Sequence, residues 1–245
     1  MRHTEENAWV HIPAQDHEAH MAEIGQSAVL RDIFSRVYAD TKPRRLLILG
    51  CTTGSDFEVV DPEVTEKSAG VDVNREYLEI ARRKLKRLSG AIDLVHADVL
   101  HADLPCSEFD LIHVALLFEY VDPADLFHRI GEWLALDGVC STVTQNPAEG
   151  VEPVSKTPYD SLLVLSGHMS LRGPDQVNSF ALRAGLERIS SGDVYLPMGK
   201  SFSVSTFRKV AAPSNGLPGA PRPLLVPGGA GAPWEPGSGL GQSPG

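Results

Sequence analysis

The chain has 245 residues, 42% of them hydrophobic, with a net charge of −10 and a pI near 5.3. That length holds one large domain or two small ones with a real core, and the acidic balance argues against an electrostatic footprint for nucleic acid. No apolar run approaches membrane-spanning length, the polar N-terminus lacks a signal-peptide h-region, and Cys51, Cys106 and Cys140 form neither a disulfide framework nor a metal spacing. A reducing cytoplasm is the expected setting.

Residues 1–25 hold His3, His11, His17 and His20. The pair His17-x-x-His20 has no cysteine or second paired motif beside it, so no metal is expected. Ser27 to Ala39 reads as an amphipathic helix, with Val29, Leu30, Ile33, Phe34 and Val37 at helical spacing, ended by Pro43. Leu46 to Leu49 is an unbroken apolar run, the mark of a buried parallel strand. It enters a turn holding Gly50 and Gly54, where a backbone turns tightly and a ligand can lie against it. Neither a Walker pattern nor G-x-G-x-x-G is present, since Thr52 stands where the middle glycine would be.

A second strand, Ser68 to Asn74, carries Asp72, 22 residues beyond Gly50. A carboxylate so placed can accept both hydroxyls of a ribose. Strand Ile92 to His96 ends in Ala97-Asp98-Val99, and strand Phe109 to Leu116 follows Pro105. Asp72 and Asp98 have alternative duties, as a helix cap before Arg75 and as an Asx-turn residue. The basic run 82–87 falls on a helix whose positions Tyr77, Leu78, Ala81, Leu85 and Leu88 face inward, so it reads as a solvated face.

Leu126 to Leu136 reads as a further amphipathic helix with Ile130, Trp133 and Leu134 inward. Asp137-Gly138 is its expected stop and Val139 to Thr144 the next strand. Residues 145–174 are interrupted by prolines around an apolar patch, Leu162 to Leu165. Pro174 should open a helix reaching Leu186. Strands Glu187 to Leu196 and Ser201 to Lys209 follow, the second with Phe202, Val204 and Thr206 on one packed face. Glycine and proline supply 17 of the residues in 211–245, a composition expected to stay disordered.

These pieces together resemble a class I S-adenosylmethionine-dependent methyltransferase of the small-molecule type. The resemblance rests on LLILGCTTGSD (46–56), AGVDVNREYLEIARRKL (69–85), HADVLHADLP (96–105), FDLIHVALLFEYVD (109–122) and FHRIGEWLALDGVCSTV (127–143). FALRAGLERI (180–189) and GKSFSVSTFRK (199–209) match the family's closing helix and last hairpin. The resemblance implies an α/β fold, a Rossmann-like doubly wound seven-stranded sheet with an antiparallel last strand. An N-terminal helical cap (1–25) would lie over a domain spanning 26–210, and the insertion 145–174 would build the substrate pocket.

It also implies S-adenosyl-L-methionine as cofactor. Gly50, Cys51, Thr52 and Gly54 would line its methionine and ribose side. Asp72 would bind the ribose, Val73 would pack on adenine, and Asp98 and Val99 would bond the adenine ring. Val114, Ala115 and Leu116 would close over the methionyl part. Thr52 departs from the glycine usual there, and its Cβ opposes a positive φ. Methyl transfer by in-line displacement needs a base only if the acceptor loses a proton during attack; Glu119, His20 and His168 are the candidates. Strand four lacks the Asn/Asp-Pro-Pro-Tyr motif of base-modifying relatives and reads VALLFEY instead, which with the acidic charge points to a small-molecule acceptor. No nucleic-acid or membrane partner is expected. A non-catalytic cofactor-binding relative and a nicotinamide-dependent oxidoreductase are the rival readings.

Overall fold

The computed structural model describes residues 7–88, 90–196 and 199–211. They fall in one unit, Met1–Ala212, apart from Pro213–Gly245. The tail expected over 211–245 thus lies outside the described residues, Ala211 excepted, as do residues 1–6 of the cap. In chain order come α1 (Ala14–Glu23), α2 (Gln26–Thr41), β1 (Arg45–Leu49), β2 (Lys67–Asp72), α3 (Arg75–Lys84), β3 (Ile92–His96), β4 (Phe109–Ala115) and α4 (Pro123–Trp133). Then follow β5 (Leu134–Gln145), α5 (Asp160–Leu163), α6 (Pro174–Arg183), β6 (Leu186–Tyr195) and β7 (Ser201–Lys209).

The seven strands make one sheet in the order β3-β2-β1-β4-β5-β7-β6. β1 to β5 pair in parallel, while β7 is antiparallel to both of its neighbours. The expected Rossmann-like sheet with an antiparallel last strand is therefore the fold. Growth of the sheet reverses between β1 and β4, and ligands of such sheets bind outside the strand ends at that reversal.

Period-two alternation explains why β1 reads as continuous apolar sequence. Leu46 and Ile48 pack with Phe34 and Tyr38 of α2 and Leu78, Ala81 and Leu85 of α3. Leu47 and Leu49 face the other layer, with Phe127, Ile130 and Trp133 of α4 and Val177 and Ala181 of α6. On α3 the expected inward set is buried, and Arg82, Arg83 and Lys84 lie on its exposed side.

Three expectations need correction. α4 stops at Trp133 and the chain enters β5 at once. Asp137, at φ +63, sits with Gly138 in a bulge, for β4–β5 pairing jumps from Phe109↔Leu134 to Leu111↔Val139. The Asp-Gly pair thus serves a bulged strand, where left-handed backbone is also needed. α6 ends at Arg183, because Gly185 takes φ +77 and Leu186 already pairs with Lys209. Finally, β7 is covered on both faces, with Ser203 and Ser205 buried as well as Phe202. Its place between β5 and β6 leaves β7 no free edge.

The proline-rich insertion folds back on the cap. Leu162 and Leu165 pack with Ile12, and Trp9, Tyr120 and Val154 border them. Tyr159 Oη donates to Glu23 Oε1 (3.0 Å) and Ser161 Oγ to Asp16 Oδ2 (2.6 Å). Glu119 ties the insertion to the sheet. Its Oε1 accepts from the Gln145 N–H (2.7 Å) and its carbonyl from the Ser170 N–H (2.8 Å). Burial pushes its carboxyl up to about 7, and Oε2 has no partner.

The raised Glu119 pKa has a definite sign for stability. The folded chain keeps a proton that the unfolded chain releases near 4.5, so stability falls as pH climbs from there through about 7. Buried His17 and His113, both pushed down to about 4, act in the opposite sense, so the Glu119 contribution is read by difference: the melting-temperature gap between the native chain and Glu119→Gln should shift against the native chain as pH climbs across that range. Gly54 gives a second test. At φ +82 a Cβ there would meet Leu85 Cδ1 at 2.8 Å and Ala81 Cβ at 3.1 Å. Gly54→Ala should cost about 2–3 kcal/mol, seen as a melting temperature lower by roughly 4–12 °C. Gly25→Ala, at φ +73 with nothing within 4 Å, should cost only about 1 kcal/mol.

Candidate functional site

A cavity of about 350 Å³ opens at the carboxyl ends of β1, β2, β3 and β4. Its floor is built by the turns the sequence singled out. After β1 the backbone alternates into the left-handed region at Gly50 (φ +68), Thr52 (φ +47) and Gly54 (φ +82). Thr52 adopts the conformation that its side chain opposes, a strain worth on the order of 1–3 kcal/mol. Leu116, at the end of β4, takes φ +51 and also lines the cavity. The loop then forms a 3-10 segment, Ser55–Val59, of five residues.

Asp72 sits at the end of β2, 6% exposed. Its Oδ2 accepts from the Thr52 N–H (2.8 Å) and its Oδ1 from the Asn74 N–H (2.8 Å). Burial pushes its pKa up to about 6 against the pull of those two N–H groups. The capping duty weighed for Asp72 belongs to Asn74, whose side chain accepts from the Glu76 and Tyr77 N–H groups at the start of α3. Asp98 does form the Asx turn, accepting from the Leu100 N–H (2.9 Å), and still borders the cavity.

Of the expected cofactor-lining residues, Gly50, Thr52, Asp72, Val73, Asp98, Val99, Ala115 and Leu116 meet around this cavity. Cys51, Gly54 and Val114 do not. Cys51 turns into the core over Gly70, where a Cβ would come within 2.9 Å of its Sγ; burial and the charge of Asp72 push its thiol up. Gly54 is a packing glycine beneath Ala81 and Leu85. Val114 points into the α4 layer.

The cap closes the cavity from above. Asn74 Nδ2 donates to the carbonyls of Trp9 (2.9 Å) and Ile12 (3.2 Å). Glu18 Oε1 accepts from Thr53 Oγ1 (2.5 Å) and Lys84 Nζ (2.6 Å), so one member of the basic run helps hold the cap. Aromatic rings gather on the lining: His17 stacks on Tyr77 (5.8 Å), and Trp9 meets His17 (5.4 Å) and Tyr120 (5.1 Å) edge-on. Burial pushes His17 down to about 4.

The three candidate bases separate. His20 is buried, lines the cavity and has an unpartnered Nδ1. Burial, helped by the charge of Lys200, lowers its pKa. Glu119 is buried behind the lining, bonded to Gln145. His168 is exposed and off the cavity. Among the described residues no His, Cys, Asp and Glu cluster could hold a metal ion, and no helix is long and apolar enough to cross a membrane.

Sequence reading missed Tyr77, Asp56, Gln145 and Lys200 on the lining. Tyr77 reads as a core position, which it also is. Asp56 lies inside the motif stretch, and burial pushes it up to about 6. Lys200 carries no local signal, since only the β6–β7 connection brings it to the site.

Residues 46–138 match the family model described as "Methyltransferase domain". An uncharacterized protein of Haemophilus influenzae is 33% identical over 85 residues, 33% of this chain and 34% of that protein, so the match spans about a third of that relative. Among solved structures, the N-methyltransferase NodS from Bradyrhizobium japonicum WM9, in complex with S-adenosyl-L-homocysteine, superposes with a TM-score of 0.58 at 18% identity, over 75% of this chain and 87% of that one. The (4+2) cyclase SpnF superposes with a TM-score of 0.60 at 17% identity, over 75% of this chain and 80% of that one. Residues 46–138 thus match a methyltransferase domain, and the sheet built around them has the fold of these solved structures.

Proposed function

We propose that this chain moves a methyl group from S-adenosyl-L-methionine to a small-molecule acceptor. The observation that carries this reading is the buried Asp72 carboxylate facing a cavity at the reversal of the sheet, between a glycine turn and a capped helix. Each oxygen of Asp72 already takes one backbone N–H and has a further lone pair, which suits the paired hydroxyls of a ribose. Val73 and Val99 supply apolar walls for a base, with Asp98 at its edge. When bound, S-adenosylmethionine supplies a methyl group on a positively charged sulfur, which an acceptor atom takes by in-line displacement, leaving S-adenosylhomocysteine. The aromatic faces of Trp9, Tyr77 and Tyr120 on the lining favour a cation.

The protein's remaining tasks are to orient the acceptor, exclude water and receive a proton. The cap and the insertion exclude water. His20 is the group proposed to receive the proton, because its lowered pKa keeps the imidazole neutral at pH 7. A dinucleotide-dependent reading has less support. It needs an α-helix N-terminus for a pyrophosphate after the first strand, and Ser55–Val59 is a short 3-10 segment. Binding without transfer is the second reading, and the strained Thr52 in the cofactor turn is the observation on its side.

Calorimetry with S-adenosylhomocysteine tests the assignment. The native chain should bind it, and Asp72→Ala should lose about 1.5–3 kcal/mol of affinity. Hydroxyls donate to the ionised carboxylate, so native affinity should rise as pH climbs through about 6, and Asp72→Ala should remove that contribution. Unchanged affinity in the variant would remove the ribose role. For His20, an acceptor found by screening allows a rate test. His20→Ala should lower kcat/KM by roughly 10²–10⁴ with S-adenosylhomocysteine affinity intact, and an unaltered rate would exclude it as base.

A further inference from the structure

On the acceptor side of the cavity one charge lacks an ionic partner. Lys200 is 6% exposed, and its Nζ donates to the Pro153 carbonyl (2.7 Å). An ammonium has three donors, and that carbonyl is already shared with Gln145 Nε2 (3.1 Å). Among the described residues no carboxylate forms an ion pair with Lys200. Burial alone drives its pKa down to about 8, with no nearby anion opposing the shift. Arg31, the other permanent cation on the lining, is occupied by Glu58 (3.1 Å). A buried ammonium without a counter-ion is costly, so its retention on a cavity wall calls for an anion that arrives from outside.

The surroundings narrow that anion. Met21, Ile24, Leu30 and Leu116 share the lining with Lys200 and His20. Lys84 is held by Glu18 and so does not add a second free charge. One free ammonium among apolar walls matches a single negative charge on an otherwise apolar molecule; a phosphate dianion asks for more donors. The geometry points to Lys200 as the anchor for a carboxylate on the methyl acceptor, which places the acceptor class among small apolar carboxylic acids. This assignment rests on the methyl-transfer reading, since it names the chemistry of the acceptor in that same cavity. His20, on the same lining and kept neutral by burial and the charge of Lys200, leaves the carboxylate to the lysine.

The test measures binding of benzoate, phenylacetate and hexanoate, each against its primary amide, to the full chain with and without saturating S-adenosylhomocysteine. Carboxylates should bind about 10-fold tighter than their amides or better. Lys200→Met should abolish that preference while S-adenosylhomocysteine affinity stays at the native value. Lys200→Gln, which keeps a donor for Pro153, serves if the methionine variant does not fold. Equal binding of acids and amides, or a preference that survives in the variant, overturns the anchor. So does tighter binding of phenyl phosphate than of benzoate. A native chain that ignores S-adenosylhomocysteine yet prefers acids sinks only the methyl-transfer reading. Bound S-adenosylhomocysteine without an acid preference sinks only the anchor.

Discussion

The Asp72 carboxylate is the joint on which the site depends. It closes two hydrogen bonds at once, one to the glycine turn after β1 and one to the residue that caps α3. The position of each turn is therefore set by the other. Asn74 extends the joint upward, since its amide holds the Trp9 and Ile12 carbonyls of the cap. Turn, helix start and cap share one charged group. That group is kept ionisable near neutrality because backbone N–H bonds counter the cost of burying it.

Strain collects at the same place. Thr52 and Leu116 carry side chains through left-handed backbone that ordinarily selects glycine. Thr52 is held there by its N–H bond to Asp72, and Leu116 by its N–H bond to the Val143 carbonyl (2.8 Å). Such conformations persist where the surroundings over-determine them. Gly50 is glycine for its φ rather than for crowding, since the nearest atom to an added Cβ would be 3.7 Å away. Gly70 is the reverse case: its backbone is ordinary strand, and the space above it is filled by Cys51 and Phe57.

The cap and the insertion wall the cavity together. Neither has a large core of its own; Ile12, Leu162 and Leu165 exclude water only in contact with one another. Their polar links span more than a hundred residues of chain, from Glu23 to Tyr159 and from Asp16 to Ser161. A cavity assembled in this way can change its lining through surface segments while the sheet and the Asp72 joint stay fixed. It also explains how a lysine in a strand connection and a histidine in the cap come to line one cavity.

Local chemistry settled much of this protein in advance. Apolar runs read as strands because both sides of a parallel sheet are covered, and β1 to β4 fall within a residue or two of the expected bounds. Turn residues and acidic strand ends marked the floor of the site, since those features repeat wherever backbone must approach a ligand. Side-chain direction was not legible. Cys51, Gly54 and Val114 lie in the right segments yet face the core, because a neighbour such as Gly70 or Leu85 decides which way a turn residue points. Nor were the ends of α4 and α6, where pairing to β4 and β7 captured residues with helical periodicity. Sequence alone determined the order of elements and the polar strand ends, because those depend on residues close along the chain. Tertiary structure alone decided that His20 and Lys200 share a wall and that Glu119 and His168 do not, because contacts across distant segments exist only once the sheet has formed.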